Sequence, residues 1–285
     1  MSLIKKVNCE IEEKTVRVGK YKLHYVVAGK GKPLVLIHGA NIGWGQWYPN
    51  IAELAKHHRV YAIDLPGSGD SSKVDFLTVN LDRAFIDTLD KFIREMKIED
   101  VSIVGHSIGG WVAMKLAIKD NFKIKKIILI NPAGLSRKMP NMYRMLAFKP
   151  MVSLMKRTVF KPSKKMVRSF FESSVVNPKR ITDEFVEYYY QNLKEGAHPL
   201  DLMHRLSGLF FIKDDFVLTN EFNKIKYPIL IIIGEQDKVT PKEDIMRNSK
   251  SNKMSRVKLI KNAGHVVGID KAKLHDHLIL EFLKD

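Results

Sequence analysis

The sequence predicts an α/β protein: a mostly parallel, eight-stranded sheet with helices on both faces and one helical insertion. Three observations carry this. Over the first 130 residues, short β-branched runs alternate with longer helical patterns. From Ala133 the style changes to Met-rich, aromatic and basic sequence with helical spacing. Strand patterning then returns at Pro228–Gly234 and is followed by helix, strand and helix, so the α/β pattern closes on both sides of the insertion.

The elements follow in order. Thr15–Val18 and Tyr21–Ala28 read as an opening strand pair around Gly19-Lys20. Pro33–Ile37, Val60–Ile63, Val101–Val104 and Ile127–Ile130 read as buried strands, each ending in a Gly, Pro or Asp signal. Helical patterns fill the gaps at Trp47–His57, Val79–Met96 and Ile108–Lys119. After the insertion come Pro228–Gly234 as a strand, a helix from Pro241, a strand at Val257–Ile260 and a last helix at Ile269–Leu283. The expected division is a core of residues 1–134 and 227–285 and a helical cap of residues 135–226.

Composition excludes several classes. With 45% hydrophobic and 28% charged residues in 285, the chain can bury a large core and is neither disordered nor fibrous. The lone Cys9 forbids an internal disulfide and leaves too few thiolates for a structural zinc or iron–sulfur site. The N-terminus meets charge at Lys5 and Lys6 and supplies no apolar signal region, so a cytoplasmic location is expected. No apolar run approaches the roughly 20 residues of a membrane span. Of the net charge of +17, a surplus of eleven falls between Ser136 and Arg180, where twelve basic residues face Glu172 alone.

Chemistry concentrates at strand ends. Gly105-His106-Ser107-Ile108-Gly109-Gly110 lies where a buried strand meets a helix. A sharp strand-to-helix turn lifts a serine hydroxyl clear of the sheet, and glycines two residues to either side let strand and helix approach. Ser107 is therefore the candidate nucleophile. A serine needs a base, and the base needs an orienting partner. Asp237 follows the strand in Gly234-Glu235-Gln236-Asp237, and His265 follows the last strand in Asn262-Ala263-Gly264-His265, giving the order Ser, Asp, His. The oxyanion donors expected are the backbone N–H groups of Ile108, immediately after the nucleophile, and Ala40, in the turn His38-Gly39-Ala40-Asn41.

Taken together, His38-Gly39, Asp64-Leu65-Pro66-Gly67-Ser68-Gly69-Asp70-Ser71, the Ser107 elbow, Gly234-Glu235-Gln236-Asp237 and Gly264-His265 resemble the α/β-hydrolase fold proteins, of the cap-bearing esterase and C–C hydrolase type. The match runs from Tyr21 to Leu283. The resemblance implies a Ser107–Asp237–His265 triad, an oxyanion hole of Ala40 and Ile108, and no cofactor. It disfavours haloalkane dehalogenases and epoxide hydrolases, which carry Asp where this chain has Ser107, and ranks prolyl iminopeptidases lower. One departure is Asp270 where many members carry Glu, with no proline after it; it is expected to concern the start of the last helix rather than chemistry.

The implied activity is a serine hydrolase cleaving a carboxylic ester through an acyl-enzyme. C–C bond hydrolysis of vinylogous diketones, perhydrolysis or acyl transfer, and a non-catalytic binding role are the alternatives. Asn41, Trp44 and Trp111 are the candidate substrate contacts, with the tryptophans more ordinarily core packing. Asp64, His38 and His106 are expected to be structural. His57, His58, His275 and His277 read as helix-surface residues, and no spacing suggests a metal site. Met151, Leu154, Met155 and Val159 share a helical face interleaved with Lys149, Lys156, Arg157 and Lys161. That stretch reads as a pocket-lining cap helix, or as a surface for an anionic membrane; nucleic acid is disfavoured because no recognised module accompanies the charge.

Overall fold

The sheet comprises β1 (Ile11–Val18), β2 (Tyr21–Ala28), β3 (Lys32–Ile37), β4 (His58–Ile63), β5 (Val101–His106), β6 (Ile124–Ile130), β7 (Ile229–Gly234) and β8 (Ser255–Ile260). This is a computed structural model describing residues 3–138, 141–158, 160–196, 198–213 and 215–284. The strand order is β1-β2-β4-β3-β5-β6-β7-β8. β1 and β2 form an antiparallel hairpin closing at Val18↔Tyr21, and β2 runs antiparallel to β4. The other neighbours pair in parallel. β5 and β7 are buried along their whole length, which is why they read as continuous apolar runs rather than as alternation.

Helices in chain order are α1 (Ile51–Leu54), α2 (Thr88–Glu95), α3 (Ile108–Lys119), α4 (Asn141–Leu146), α5 (Lys149–Thr158), α6 (Lys164–Ser174), α7 (Asp183–Glu195), α8 (Pro199–Gly208), α9 (Lys242–Ser249), α10 (Val267–Asp270) and α11 (Ala272–Lys284). The five helices α4–α8 lie between β6 and β7. One face of the sheet packs Phe76, Phe85, Phe92, Trp111 and Phe222, and the other packs Trp47, Ile51, Leu54, Val267 and Ile279. The inserted helices bring their own nuclei: Val167, Phe171, Phe185 and Tyr189 in α6–α7, and the smaller Leu146, Val152 and Leu200 in α4, α5 and α8. Among the described residues, no helix is long and apolar enough to cross a membrane.

Three helical expectations change in detail. The stretch 47–57 yields only α1 after a single 3₁₀ turn at Trp44–Trp47; Pro49 supplies no N–H to a helix there. The stretch 79–96 opens as a π-helical turn at Asp82–Asp87, where the Thr88 hydroxyl donates to the Arg83 carbonyl (3.1 Å). The last helix is split at Lys271.

His275 corrects the helix-surface expectation. It is fully buried, with Nδ1 2.8 Å from Asp276 Oδ1, and Asn50 Nδ2 donates to Asp276 Oδ1 (2.8 Å) and to the Gly268 carbonyl (3.1 Å). A polar pair on an otherwise amphipathic helix reads as surface, yet here Asn50 reaches it from across the fold. His58 also departs from expectation, since it begins β4, whereas His57 and His277 are exposed.

Candidate active site

The nucleophile turn is built on contacts that leave no room for a methyl group. A Cβ on Gly105 would stand 2.3 Å from the Gly109 carbonyl oxygen, and one on Gly109 2.2 Å from that of Ile37. Strand β5, helix α3 and the end of β3 therefore meet in van der Waals contact. Between them Ser107 adopts φ 53°, ψ −115°, a conformation costing a non-glycine residue about 1–3 kcal/mol. Its carbonyl is clamped by N–H groups of Gly110 (3.0 Å), Trp111 (3.2 Å) and Ala133 (3.0 Å), and its own N–H donates to Ile130 (3.0 Å). The strain is thus held by the fold, and the side chain faces a cavity.

Asp237 and His265 come from the loops after β7 and β8. His265 Nδ1 lies 2.9 Å from Asp237 Oδ2. The Asp237 carboxylate is fully buried and also accepts from Val239 N–H (2.7 Å), Thr240 N–H (3.2 Å) and the Thr240 hydroxyl. Burial alone would raise its pKa, but His265 and these donors outweigh it and hold the carboxyl below the usual range. An ionised Asp237 fixes the His265 proton on Nδ1, leaving Nε2 as the basic atom. Ser107 and His265 line the same cavity. Among the described residues no hydrogen bond joins Ser107 Oγ to His265, a looseness common in unliganded sites.

Three residues that the sequence reading did not place at the site hold the His265 loop. Asn131, fully buried at the end of β6, donates to the His265 carbonyl (2.7 Å) and the Gly264 carbonyl (3.2 Å) and accepts from Gly234 N–H (2.9 Å). It thereby ties the Asp237 side of the site to the His265 side. His106 Nε2 donates to the same His265 carbonyl (2.9 Å). Burial, and then the nearby His265, push the His106 pKa down to about 3, so this imidazole is neutral and is not a second base. Asp270 accepts from Gly264 N–H (2.7 Å), Val176 N–H (2.9 Å) and Asn177 N–H (3.1 Å), and His265 N–H donates to the Ser174 carbonyl (2.8 Å). The departure at Asp270 therefore bears on how the inserted helices join the His265 loop. In the sequence, His106 within the elbow motif and the departure at Asp270 were the visible signals.

Ala40 and Ile108 both line the cavity beside Ser107, while Gly39 N–H is already engaged by Gln46 Oε1 (2.9 Å). Asn41 lies next to Ala40 with φ 55°, 4% exposed. Both polar atoms of its carboxamide are buried on the cavity wall, without a hydrogen-bond partner among the described residues. Trp44 and Trp111 do not line the cavity. Trp44 packs edge-on against Tyr188 (5.6 Å), and Trp111 stacks behind Phe216 (5.5 Å), which takes the wall position. Asp64 is an acceptor for His24 Nδ1 (2.8 Å), Trp44 N–H (2.6 Å) and Asp70 N–H (3.1 Å).

The cavity measures about 290 Å³ and is walled mainly by apolar side chains, among them Leu146, Phe160, Met166, Phe171, Met203 and Phe216. Lys138 is its one lysine or arginine among the described residues. Elsewhere, Glu13, His24 and Asp70 offer potential ligand atoms within 4.8 Å of one another, at the β1–β2 edge and apart from the triad residues.

Comparison with known proteins agrees with this architecture. A 2-hydroxy-6-oxo-6-(2'-aminophenyl)hexa-2,4-dienoic acid hydrolase from Metapseudomonas resinovorans is 29% identical over 283 residues, covering 95% of this chain and 90% of that protein. Among solved structures, a 2-hydroxy-6-oxo-6-phenylhexa-2,4-dienoate hydrolase from Rhodococcus superposes with a TM-score of 0.80 at 21% identity, covering 98% of this chain and all of that one. A naproxen esterase from Bacillus subtilis gives 0.78 at 20% identity, covering 99% and 94%. At such identities the structural likeness shows the fold alone. The pattern described by the α/β-hydrolase fold family matches residues 32–272, and the chain belongs to that family.

Proposed function

We propose that the protein is a serine hydrolase that cleaves a carboxylic ester with an apolar acyl group through an acyl-enzyme. The observation carrying this reading is that Ser107, His265 and Ala40 open together onto one apolar cavity, with the ionised Asp237 behind His265. Ser107 Oγ attacks the ester carbonyl as His265 Nε2 takes its proton, and Asp237 stabilises the imidazolium. The N–H groups of Ala40 and Ile108 receive the oxyanion, the latter aided by the N-terminus of α3. His265 returns the proton to the leaving alkoxide. Water, activated by the same histidine, then releases the acid; a different nucleophile at that step would give acyl transfer or perhydrolysis.

C–C bond hydrolysis is the second reading, favoured by the dienoic acid hydrolase relative that spans nearly the whole chain. Against it stands a wall with Lys138 as its sole arginine or lysine among the described residues, for substrates that carry a carboxylate. A reducing cytoplasm is the compartment that suits the lone Cys9.

The test pairs the parent with Ser107→Ala. A fluorophosphonate probe should label the parent alone, and p-nitrophenyl esters of increasing acyl length should turn over only with the parent. A vinylogous diketone cleaved faster than every ester would transfer the assignment to C–C hydrolysis. Neither label nor turnover in folded protein would leave a binding role.

A further inference from the structure

We propose that the outer surface of α4 and α5, with the exposed rings beside it, docks on an anionic phospholipid bilayer, from which an apolar ester reaches the cavity. The delivery of substrate rests on the ester-hydrolase reading; the docking does not.

Among the described residues, the hydrophobic side chains more than half exposed are Met145 (53%), Phe148 (63%), Leu154 (55%) and Phe170 (51%), all in or beside α4–α6. Arg144, Lys149, Arg157, Lys161 and Lys165 are interleaved with them, exposed, and pair with no acid among the described residues. Other cations here are committed: Lys156 to Asp201 (2.7 Å), Lys164 to Glu187 (2.6 Å), and Arg168 to Glu172 (3.5 Å) and Asp183. Val159, which completes the Met151-Leu154-Met155 face in the sequence, lies outside the described residues.

Folding does not account for this charge. α5 and α6 begin with Lys149 and with Lys164-Lys165, and neither has an acid in its first turn. That is the end of a helix where cations are unfavourable. By contrast α7, within the same insertion, opens with Asp183 and Glu184.

The exposed surface and the cavity share a wall. Phe210 lines the cavity, and the adjoining ring of Phe211, 4.8 Å away, is 37% exposed with the Arg144 guanidinium 6.0 Å above it. Phe170 lines the cavity while being half exposed. A soluble polyanion would satisfy the cations but offer no apolar phase to the four side chains. An anionic bilayer satisfies both, with acyl chains for the rings and headgroups for the lysines and arginines.

Co-flotation with phosphatidylglycerol vesicles, with phosphatidylcholine vesicles, and a gel-shift with a duplex oligonucleotide test this. The parent should bind phosphatidylglycerol and not phosphatidylcholine, and should lose binding at high salt. The combined Arg144→Gln, Lys149→Gln and Arg157→Gln variant should bind about a hundredfold more weakly. Phe148→Ser should weaken binding at every salt concentration. Both variants should keep the parent's turnover of a soluble short-chain ester, which reports an intact fold. No vesicle binding by the parent, binding undiminished in the triple variant, or tighter binding to the oligonucleotide than to the vesicles would overturn docking. Vesicle binding by a parent protein that turns over no ester would retain docking and remove the hydrolase reading.

Discussion

Asn131→Ala tests whether the His265 loop is held as the geometry indicates. The substitution removes the acceptor for Gly234 N–H and the donor to the Gly264 carbonyl; the His265 carbonyl keeps its bond from His106. Two buried backbone groups thereby lose this partner, at about 1–3 kcal/mol each. Alanine at the native φ of 40° adds about 1 kcal/mol. The total is about 3–7 kcal/mol, a large part of the roughly 5–15 kcal/mol of an ordinary domain. Urea unfolding should show a midpoint lower by about 1 M or more for a slope near 3 kcal/mol/M. In the fraction that remains folded, a shift of His265 by about 1 Å should cut kcat about a hundredfold with KM little changed, since the cavity wall is untouched. Asn131→Asp retains the acceptor for Gly234 but turns carboxyl oxygens toward two carbonyls, so it should also lose kcat. Parent values of both midpoint and kcat in Asn131→Ala would refute the reasoning.

Other outcomes follow from the same contacts. Asp237→Asn should lower kcat about 10³-fold or more by releasing the His265 tautomer, read by ester turnover. Because the folded-state pKa of Asp237 is depressed, its stabilisation is present above the unfolded carboxylate value near 4 and is lost as pH falls through the folded value; Asp237→Asn should therefore flatten the acid limb of a stability-against-pH curve. Gly109→Ala places a methyl 2.2 Å and 2.6 Å from the Ile37 and His38 carbonyl oxygens, which are backbone and cannot yield cheaply; a loss of about 3 kcal/mol or more should appear in thermal unfolding. Asn41→Ala removes no side-chain hydrogen bond among the described residues, so it should lower kcat/KM for esters about tenfold while changing stability by no more than the ~1 kcal/mol that a non-glycine φ of 55° costs; unchanged kinetics would remove Asn41 from the substrate site.

The strands were legible because burial on both faces writes itself as runs such as Ile229–Ile233, and the elbow because glycines on either side of Ser107 are a steric necessity. The pairing of Asp237 with His265 was legible from motif order. What escaped was set by contacts between distant segments. Nothing near Asn131 announces that its carboxamide spans Gly234 and His265, more than a hundred residues later. His275 shares a helical face with the buried Ile279 and Phe282, but its polarity reads as surface, and its burial is met by Asn50 and Asp276. Trp111 lies one helical turn from Ser107, yet whether it or Phe216 meets the cavity depends on a residue more than a hundred positions away.

Two parts of the inserted segment are attached by different physics. Residues 174–177 share hydrogen bonds with the His265 loop through the Ser174 carbonyl and Asp270, and the adjoining α6–α7 nucleus buries twelve hydrophobic side chains, including Ile42 and Val266 from the catalytic side. Separating that part would expose this nucleus, strip the His265 N–H of the Ser174 carbonyl and leave Asp270 without the Val176 and Asn177 donors. α4 and α5 rest on a nucleus of three buried side chains, Leu146, Val152 and Leu200. At about 1.5–3 kcal/mol for each, freeing it costs under 10 kcal/mol, far less than freeing the larger nucleus. The cheaper displacement is thus the one that leaves His265 and Asp237 in place. It is also the part that carries Phe148, Leu154 and the Lys149 and Arg157 that pair with no acid among the described residues, so attraction of that surface by lipid would act where the cavity wall is most easily moved.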